Sequence, residues 1–267
     1  MDRETQRQYA ETFRGLHRKG KPVVLFNAWD VASAKVIAQK FPAIATSSAA
    51  VAASLGYTDG QKTPLAAVIN LVERITATVS VPLTVDFEAG YGDTPAAAAE
   101  SVTALLGAGA IGINLEDSLL AGERGLIDPE LHAAKIRAIR KAVDEFGVPL
   151  VINARTDPFI LKIGTPDVCL EEAVRRGAIY AEAGADSLFV PLLMDLTLIE
   201  QLVGRVSLPV NIMAIPGVPP LSELARVGVG RVSLATWPHN AMLRAVGAAA
   251  EVVATTGEYG SFLLPNG

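Results

Sequence analysis

Short apolar, β-branched runs alternate along this chain with longer Ala-rich stretches of helical period, and the alternation recurs eight times. Such a rhythm predicts parallel strands joined by helical crossovers, because neighbouring parallel strands need a long connection. The strands are expected at Val23 to Asn27, Ala43 to Ser47, Leu83 to Glu88, Gly112 to Glu116, Leu150 to Arg155, Ser187 to Pro191, Val210 to Ala214 and Arg231 to Ala235. Helices are expected near residues 31–40, 63–79, 95–109, 128–146, 168–184, 195–205, 219–228 and 238–256. Thr63-Pro64, Thr94-Pro95 and Asp128-Pro129 each set an N-cap residue before a proline suited to a first helical turn. Gly107-Ala108-Gly109-Ala110 and Ala183-Gly184-Ala185-Asp186 are near-repeats that close a helix and feed a strand.

Two architectures share this rhythm, a closed barrel and an open doubly wound sheet. The open sheet would carry a glycine-rich phosphate turn after its first strand if it bound a dinucleotide. Here the first strand ends in Asn27-Ala28-Trp29-Asp30, so a (β/α)8 TIM barrel is expected, as one catalytic domain over residues 1–267.

Composition narrows the function. Half of the residues are hydrophobic, enough for a large core, and the net charge of −5 (23 basic, 28 acidic residues) comes with no basic run. Nucleic acid is thereby excluded as an expected partner. Apolar stretches such as Val148 to Ile152 are strand-sized, far short of the roughly 18 residues of a membrane span. The mixed-charge start lacks the apolar core of a signal peptide, and a cytoplasmic protein is expected. Cys169 is the only cysteine, so neither an internal disulfide nor a thiolate cluster can form, and it is read as a small core residue. His17 and His132 are placed in helical surface patterns, and His239 at a helix start.

Catalytic groups of parallel barrels project from the C-terminal strand ends. The third strand ends in Val85-Asp86-Phe87-Glu88, and alternation puts Asp86 and Glu88 on one face; Asn114 and Glu116 share a face on the fourth. Three carboxylates meeting in a partly dry site repel one another unless a cation intervenes. Oxygen-only ligation favours Mg2+, or Mn2+, over Zn2+. An isolated acid is more simply an exposed charge or a cap, as expected for Asp93 and Asp128. Arg155, ending the fifth strand, suits bidentate grasp of a carboxylate or a structural ion pair with one of those acids. Ser47, Ser48 and Ala49 can cradle an anion with hydroxyls and backbone amides, and Asn211 on the seventh strand is a further substrate-binding candidate. Asp30 reads as a cap for the helix from Val31, and Asp59 either as a turn residue before Gly60 or as a reacting group.

FNAWDVASAK, ATSSAAVAASLGYTDG, VDFEAGYGD, GINLEDS and INARTDPF stand in order at the expected strand ends, and over nearly its whole length the sequence resembles the isocitrate lyase/phosphoenolpyruvate mutase superfamily in its short form. The resemblance implies a (β/α)8 barrel assembled as dimers of dimers, with the last helix exchanged between neighbours. It implies Mg2+ bound at Asp86, with Glu88 and Glu116 contributing, often through water. Ser47, Ser48, Ala49 and Arg155 match the substrate cradle, and Asp59 lies near the reacting centre. Glu88 stands where many relatives have Asp, and Ala45 where some phosphonate-processing relatives have Trp. The stretch matching the family's mobile lid, Ser118 to Ile127 with Gly122 and Gly125 as hinges, has neither the Lys-Lys-Cys-Gly-His motif of isocitrate and methylisocitrate lyases nor the Lys and Asn of phosphonopyruvate chemistry.

The expected activity is therefore cleavage of a C–C bond in a small 2-oxo acid such as oxaloacetate, decarboxylase-like or retro-aldol, through a metal-stabilised enolate. Asp59, Arg155 and Glu116 are the catalytic candidates, with Asp59 or a water on the metal as base. A C–P enzyme of the phosphonopyruvate mutase or hydrolase type, and a non-catalytic 2-oxo-acid binding protein, are the alternatives. A homodimer or homotetramer is expected.

Overall fold

A computed structural model describes residues 1–118 and 125–260. The β-branched runs form parallel strands β1 (Val23–Leu25), β2 (Asn27–Ala28), β3 (Ile44–Thr46), β4 (Leu83–Asp86), β5 (Gly112–Glu116), β6 (Val151–Arg155), β7 (Ser187–Phe189), β8 (Val210–Met213) and β9 (Arg231–Ser233). Their order is β1-β9-β8-β7-β6-β5-β4-β3-β2. β1 and β2 are halves of the first expected strand, parted at Phe26. On one side Leu25 O accepts from Leu234 N; on the other, Phe26 O accepts from Ala45 N and Ala28 O from Ser47 N. One stretch of chain thus pairs with both the last stave and the second, and the sheet closes into a TIM barrel.

Around it run α1 (Arg3–Leu16), α2 (Val31–Ala38), α3 (Ser48–Leu55), α4 (Leu65–Thr76), α5 (Pro95–Gly107), α6 (Pro129–Phe146), α7 (Pro158–Leu161), α8 (Pro166–Glu182), α9 (Leu196–Arg205), α10 (Leu221–Arg226) and α11 (Trp237–Thr256). Thr94 and Asp128 cap α5 and α6 through their side chains, and Asp30 caps α2 reciprocally with Ser33. Thr63 does not act as expected: α4 starts one residue later, with Pro64 in the cap position and no side-chain bond. Gly109 turns from α5 into β5 at φ 94°, and a Cβ there would lie 2.9 Å from Thr76 Oγ1, so both backbone and space require glycine.

Three helices escape the apolar pattern: α1, α3 and α7. In α1 only Gln6, Ala10 and Phe13 are buried, a stripe at i, i+4 and i+7 hidden among charged residues. That stripe plugs the N-terminal end of the barrel. Gln6 Nε2 donates to Leu106 O and Ala110 O, and the Phe13 ring lies under the Arg231 guanidinium, 5.8 Å away.

Neither His17 nor His132 is a surface residue, which corrects the sequence expectation. His132 is wholly buried on α6 with its ring 4.7 Å from that of Tyr180, and His17 packs edge-on against Phe13. Burial, then neighbouring cations, pushes both imidazoles down to about 3. Both enter the fold neutral, whereas the unfolded chain protonates them below about 6.5. Their contribution is complete above that value and fades toward about 3, by up to about 1.4 kcal/mol per pH unit for each histidine. Urea midpoints should fall with pH across this window, and His132→Phe should flatten the fall; equal slopes would show that His132 does not carry it.

α11 keeps only Pro238 and His239 buried, leaving Leu243, Val246 and Val253 exposed. Among the described residues, no helix is long and apolar enough to cross a membrane.

Candidate active site

Asp86 ends β4 beside the point where the preceding stave, β3, turns into α3. Its Oδ2 accepts from Ser48 N at 3.0 Å and Ser48 Oγ at 2.8 Å, and its Oδ1 from Asn114 Nδ2 at 3.3 Å. The carboxylate therefore faces the first turn of α3, where free amides and the helix dipole favour an anion.

Glu88 reaches the same mouth by a different route from the one expected. β4 has ended by Asp86, and Glu88 sits in a turn at φ 50°, followed by Gly90 at 96° and Tyr91 at 51°. A non-glycine residue in the left-handed region is strained and persists only where its surroundings hold it. Here they do: Glu88 Oε2 accepts from Gly60 N and Gln61 N, Oε1 from Tyr91 Oη at 3.1 Å, and Lys135 Nζ grips Ala89 O at 3.2 Å. The turn, not strand alternation, aims this side chain.

Glu116 and Arg155 end β5 and β6 and are register partners across the pair. Arg155 Nη1 lies 2.6 Å from Glu116 Oε2, while Nε and Nη2 donate to the two carboxylate oxygens of Asp157 at 2.8 Å each. The ion-pair alternative for Arg155 is thus realised, twice over. Asp157 escaped sequence reasoning, although its i+2 spacing from an arginine at a strand end was the available signal. Ser118 Oγ also donates to Asp157 Oδ2, at 2.6 Å.

These groups open on one cleft of about 300 Å³, lined by Ser48, Asp59, Glu88, Glu116, Ser118 and Arg155, with Ile160 and Leu161 as an apolar wall. Of the expected residues, Ser48, Asp59, Glu88, Glu116 and Arg155 meet there, and Asp86 joins through Ser48. Others do not line it. Ser47 spends its hydroxyl capping α3, Ala49 lies in the first turn of that helix, and Asn211 is buried against Ser233. Of the expected lid, Ser118 pairs with Leu126, and Leu119 to Arg124, Gly122 included, lie outside the described residues.

The electrostatics are those of crowded acid. Burial, reinforced by Asp86 and Asp59 and opposed by the Gln61 amide, pushes the Glu88 carboxyl up to about 7. Burial pushes Glu116 up to about 8 despite Arg155, with Asp157, Asp86 and Glu88 adding to the rise. Asp59 is raised by burial and by Asp86, against a hydrogen bond from the Gly60 amide.

Among the described residues, no three Asp, Glu, His or Cys side chains are gathered tightly enough to share one ion outright. Each of the three acids is engaged by protein donors of its own. The donor set still fits a hydrated Mg2+ or Mn2+, which keeps several waters and takes one or two carboxylates. All the candidate ligand atoms are oxygens, and Asp86, Glu88 and Glu116 bring three carboxyl groups to one mouth, where burial raises Glu88 and Glu116 and neighbouring acids add to the rise.

The chain is similar to known proteins in sequence and fold. The family model described as phosphoenolpyruvate phosphomutase matches residues 13–254. A putative phosphonomutase from Burkholderia cenocepacia J2315 superposes with a TM-score of 0.88 at 42% identity, over 91% of this chain and 99% of the other. The 2-methylisocitrate lyase of Escherichia coli K12 is 32% identical over 91% of this chain and 82% of its own length. A phosphonopyruvate hydrolase crystallised with oxalate and Mg2+ superposes with a TM-score of 0.85 at 25% identity, over 97% of this chain and 92% of the other. With its barrel, its strand-end acids and a family match over most of its length, the chain belongs to the isocitrate lyase/phosphoenolpyruvate mutase superfamily.

Proposed function

We propose that this protein is a Mg2+-dependent lyase that breaks a carbon–carbon bond of a small 2-oxo acid such as oxaloacetate. The observation that carries the proposal is the cleft in which a guanidinium, Arg155, faces Glu88, Glu116 and Asp59 beside the first turn of α3. Asp86, with Glu88 and Glu116 around it, would hold Mg2+ or Mn2+, and the ion would supply Lewis acidity toward the 2-oxo group.

The chain's own residues do the rest. Arg155 takes the substrate carboxylate, and the Ser48 amide and hydroxyl steady the Asp86 carboxylate toward the cleft. Glu116 and Asp157 hold the guanidinium plane from two sides, which fixes where that carboxylate lands. In decarboxylation the C3–C4 bond breaks, carbon dioxide leaves, and C3 gains a proton. Asp59, with its raised carboxyl at the rim, is placed to hold that proton on its side chain; in a retro-aldol cleavage the same carboxylate takes the hydroxyl proton instead. Ile160 and Leu161 keep water from one side of the reacting carbon.

Purified protein should release pyruvate from oxaloacetate with Mg2+, above the metal-only background, and EDTA should remove the excess. The likeness to a putative phosphonomutase favours C–P chemistry as a second reading. Product from phosphonopyruvate but not from oxaloacetate or branched malates would establish that reading in place of ours. Tight oxalate binding without turnover of any of them would point to a binding protein. The proposal includes self-association through the exposed apolar side of α11, which sedimentation would read as a mass above the 28.0 kDa of one chain.

A further inference from the structure

Behind Arg155, and outside the cleft, lies a polar cluster that takes no part in the chemistry above. Asp117, the residue after β5, is wholly buried. Its Oδ2 accepts from Tyr180 Oη at 2.6 Å and from Arg176 Nη1 at 3.0 Å, both on α8. Arg176 is itself buried, and its Nε donates to Glu172 Oε1 at 2.6 Å. A buried ion pair is poor evidence of stability, because desolvation offsets its attraction; its best-attested use is to fix a register.

What Asp117 fixes is the end of β6. Its backbone N donates to Arg155 O at 3.1 Å, and its Oδ1 accepts from Asp157 N at 3.2 Å. One residue thus holds the main chain on both sides of Thr156. Asp157, held this way, grips the Nε and Nη2 edge of Arg155. The same cluster ties down the chain at Ile127, whose N donates to Asp117 O at 2.9 Å and whose O accepts from Arg176 Nη1 at 2.9 Å.

We propose that Asp117, braced by Arg176 and Tyr180, is the positioning residue for Arg155: it fixes Asp157 and thereby the direction in which the guanidinium meets a substrate carboxylate. This rests on the reading that Arg155 binds that carboxylate. A displacement of about 1 Å at such a group is enough to lower productive binding severely.

The test uses the full chain, with oxalate as probe at saturating Mg2+ and Mn2+ binding measured separately. Tyr180→Phe keeps the ring against His132 and removes one donor to Asp117; Asp117→Asn removes the charge. Both should weaken oxalate roughly tenfold and raise KM more than they lower kcat, while Mn2+ affinity, which depends on Asp86 across the mouth, stays within about twofold. Should Asp117→Asn fail to fold, Tyr180→Phe carries the test alone. Oxalate affinity unchanged in a folded Tyr180→Phe, or oxalate and Mn2+ affinity falling in parallel, overturns the proposal. Arg155→Lys separates the two readings. If it weakens oxalate and Tyr180→Phe does not, only the positioning role falls; if it too leaves oxalate unchanged, both fall.

Discussion

Asp86→Ala is expected to lose roughly 10³-fold or more in kcat/KM for oxaloacetate with Mg2+, with far-UV circular dichroism unchanged. The size follows from what the carboxylate does. It is the acid set against the first turn of α3, with three protein donors aimed at it, and it carries the ion in the proposed mechanism. The fold should tolerate the change, because Asp86 is only partly buried and removing it relieves charge that raises Glu88 and Glu116. Turnover at the wild-type level in this variant would take Asp86 out of the mechanism.

Arg155→Lys should weaken oxalate by about 30- to 100-fold, equivalent to about 2–3 kcal/mol at 1.4 kcal/mol per decade. A lysine keeps the charge but cannot present two parallel donors to Asp157 while a third nitrogen meets Glu116. Two carboxylates would then compete for one point charge, and the substrate's would be a third. Calorimetric titration with oxalate reads the loss directly; an unchanged constant would make Arg155 a structural residue and no more.

Much of the fold was legible because barrel repeats are local. Each stave announces itself by a β-branched run and each crossover by an Ala-rich helix, and Thr94 and Asp128 announce their helices by capping chemistry. Asp86, Glu116 and Arg155 could be found for the same reason: a strand end is a position that sequence pattern identifies. The misses have tertiary causes. α1 looked like an exposed mixed-charge start because three positions, Gln6, Ala10 and Phe13, carry all of its burial. The Ser47 to Ala49 stretch was read as an anion cradle at a strand end, but it opens a helix, which leaves Ser48 facing Asp86 and commits Ser47 to the cap. Glu88 was assigned by strand alternation, yet a left-handed turn gripped by residues 60, 61 and 135 places it. His132 and the Asp117–Arg176 pair gave no local sign at all, since the partners that bury and bind them lie 48 and 59 residues away.

The most direct measurement is an anomalous difference map at the manganese edge from crystals grown with Mn2+ and oxalate. We predict one strong peak bonded to the Asp86 carboxylate, with Glu88 and Glu116 reaching it through ordered water and the oxalate spanning from the ion to Arg155. A peak that bypasses Asp86, or oxalate seated away from Arg155, would contradict the mechanism at its root.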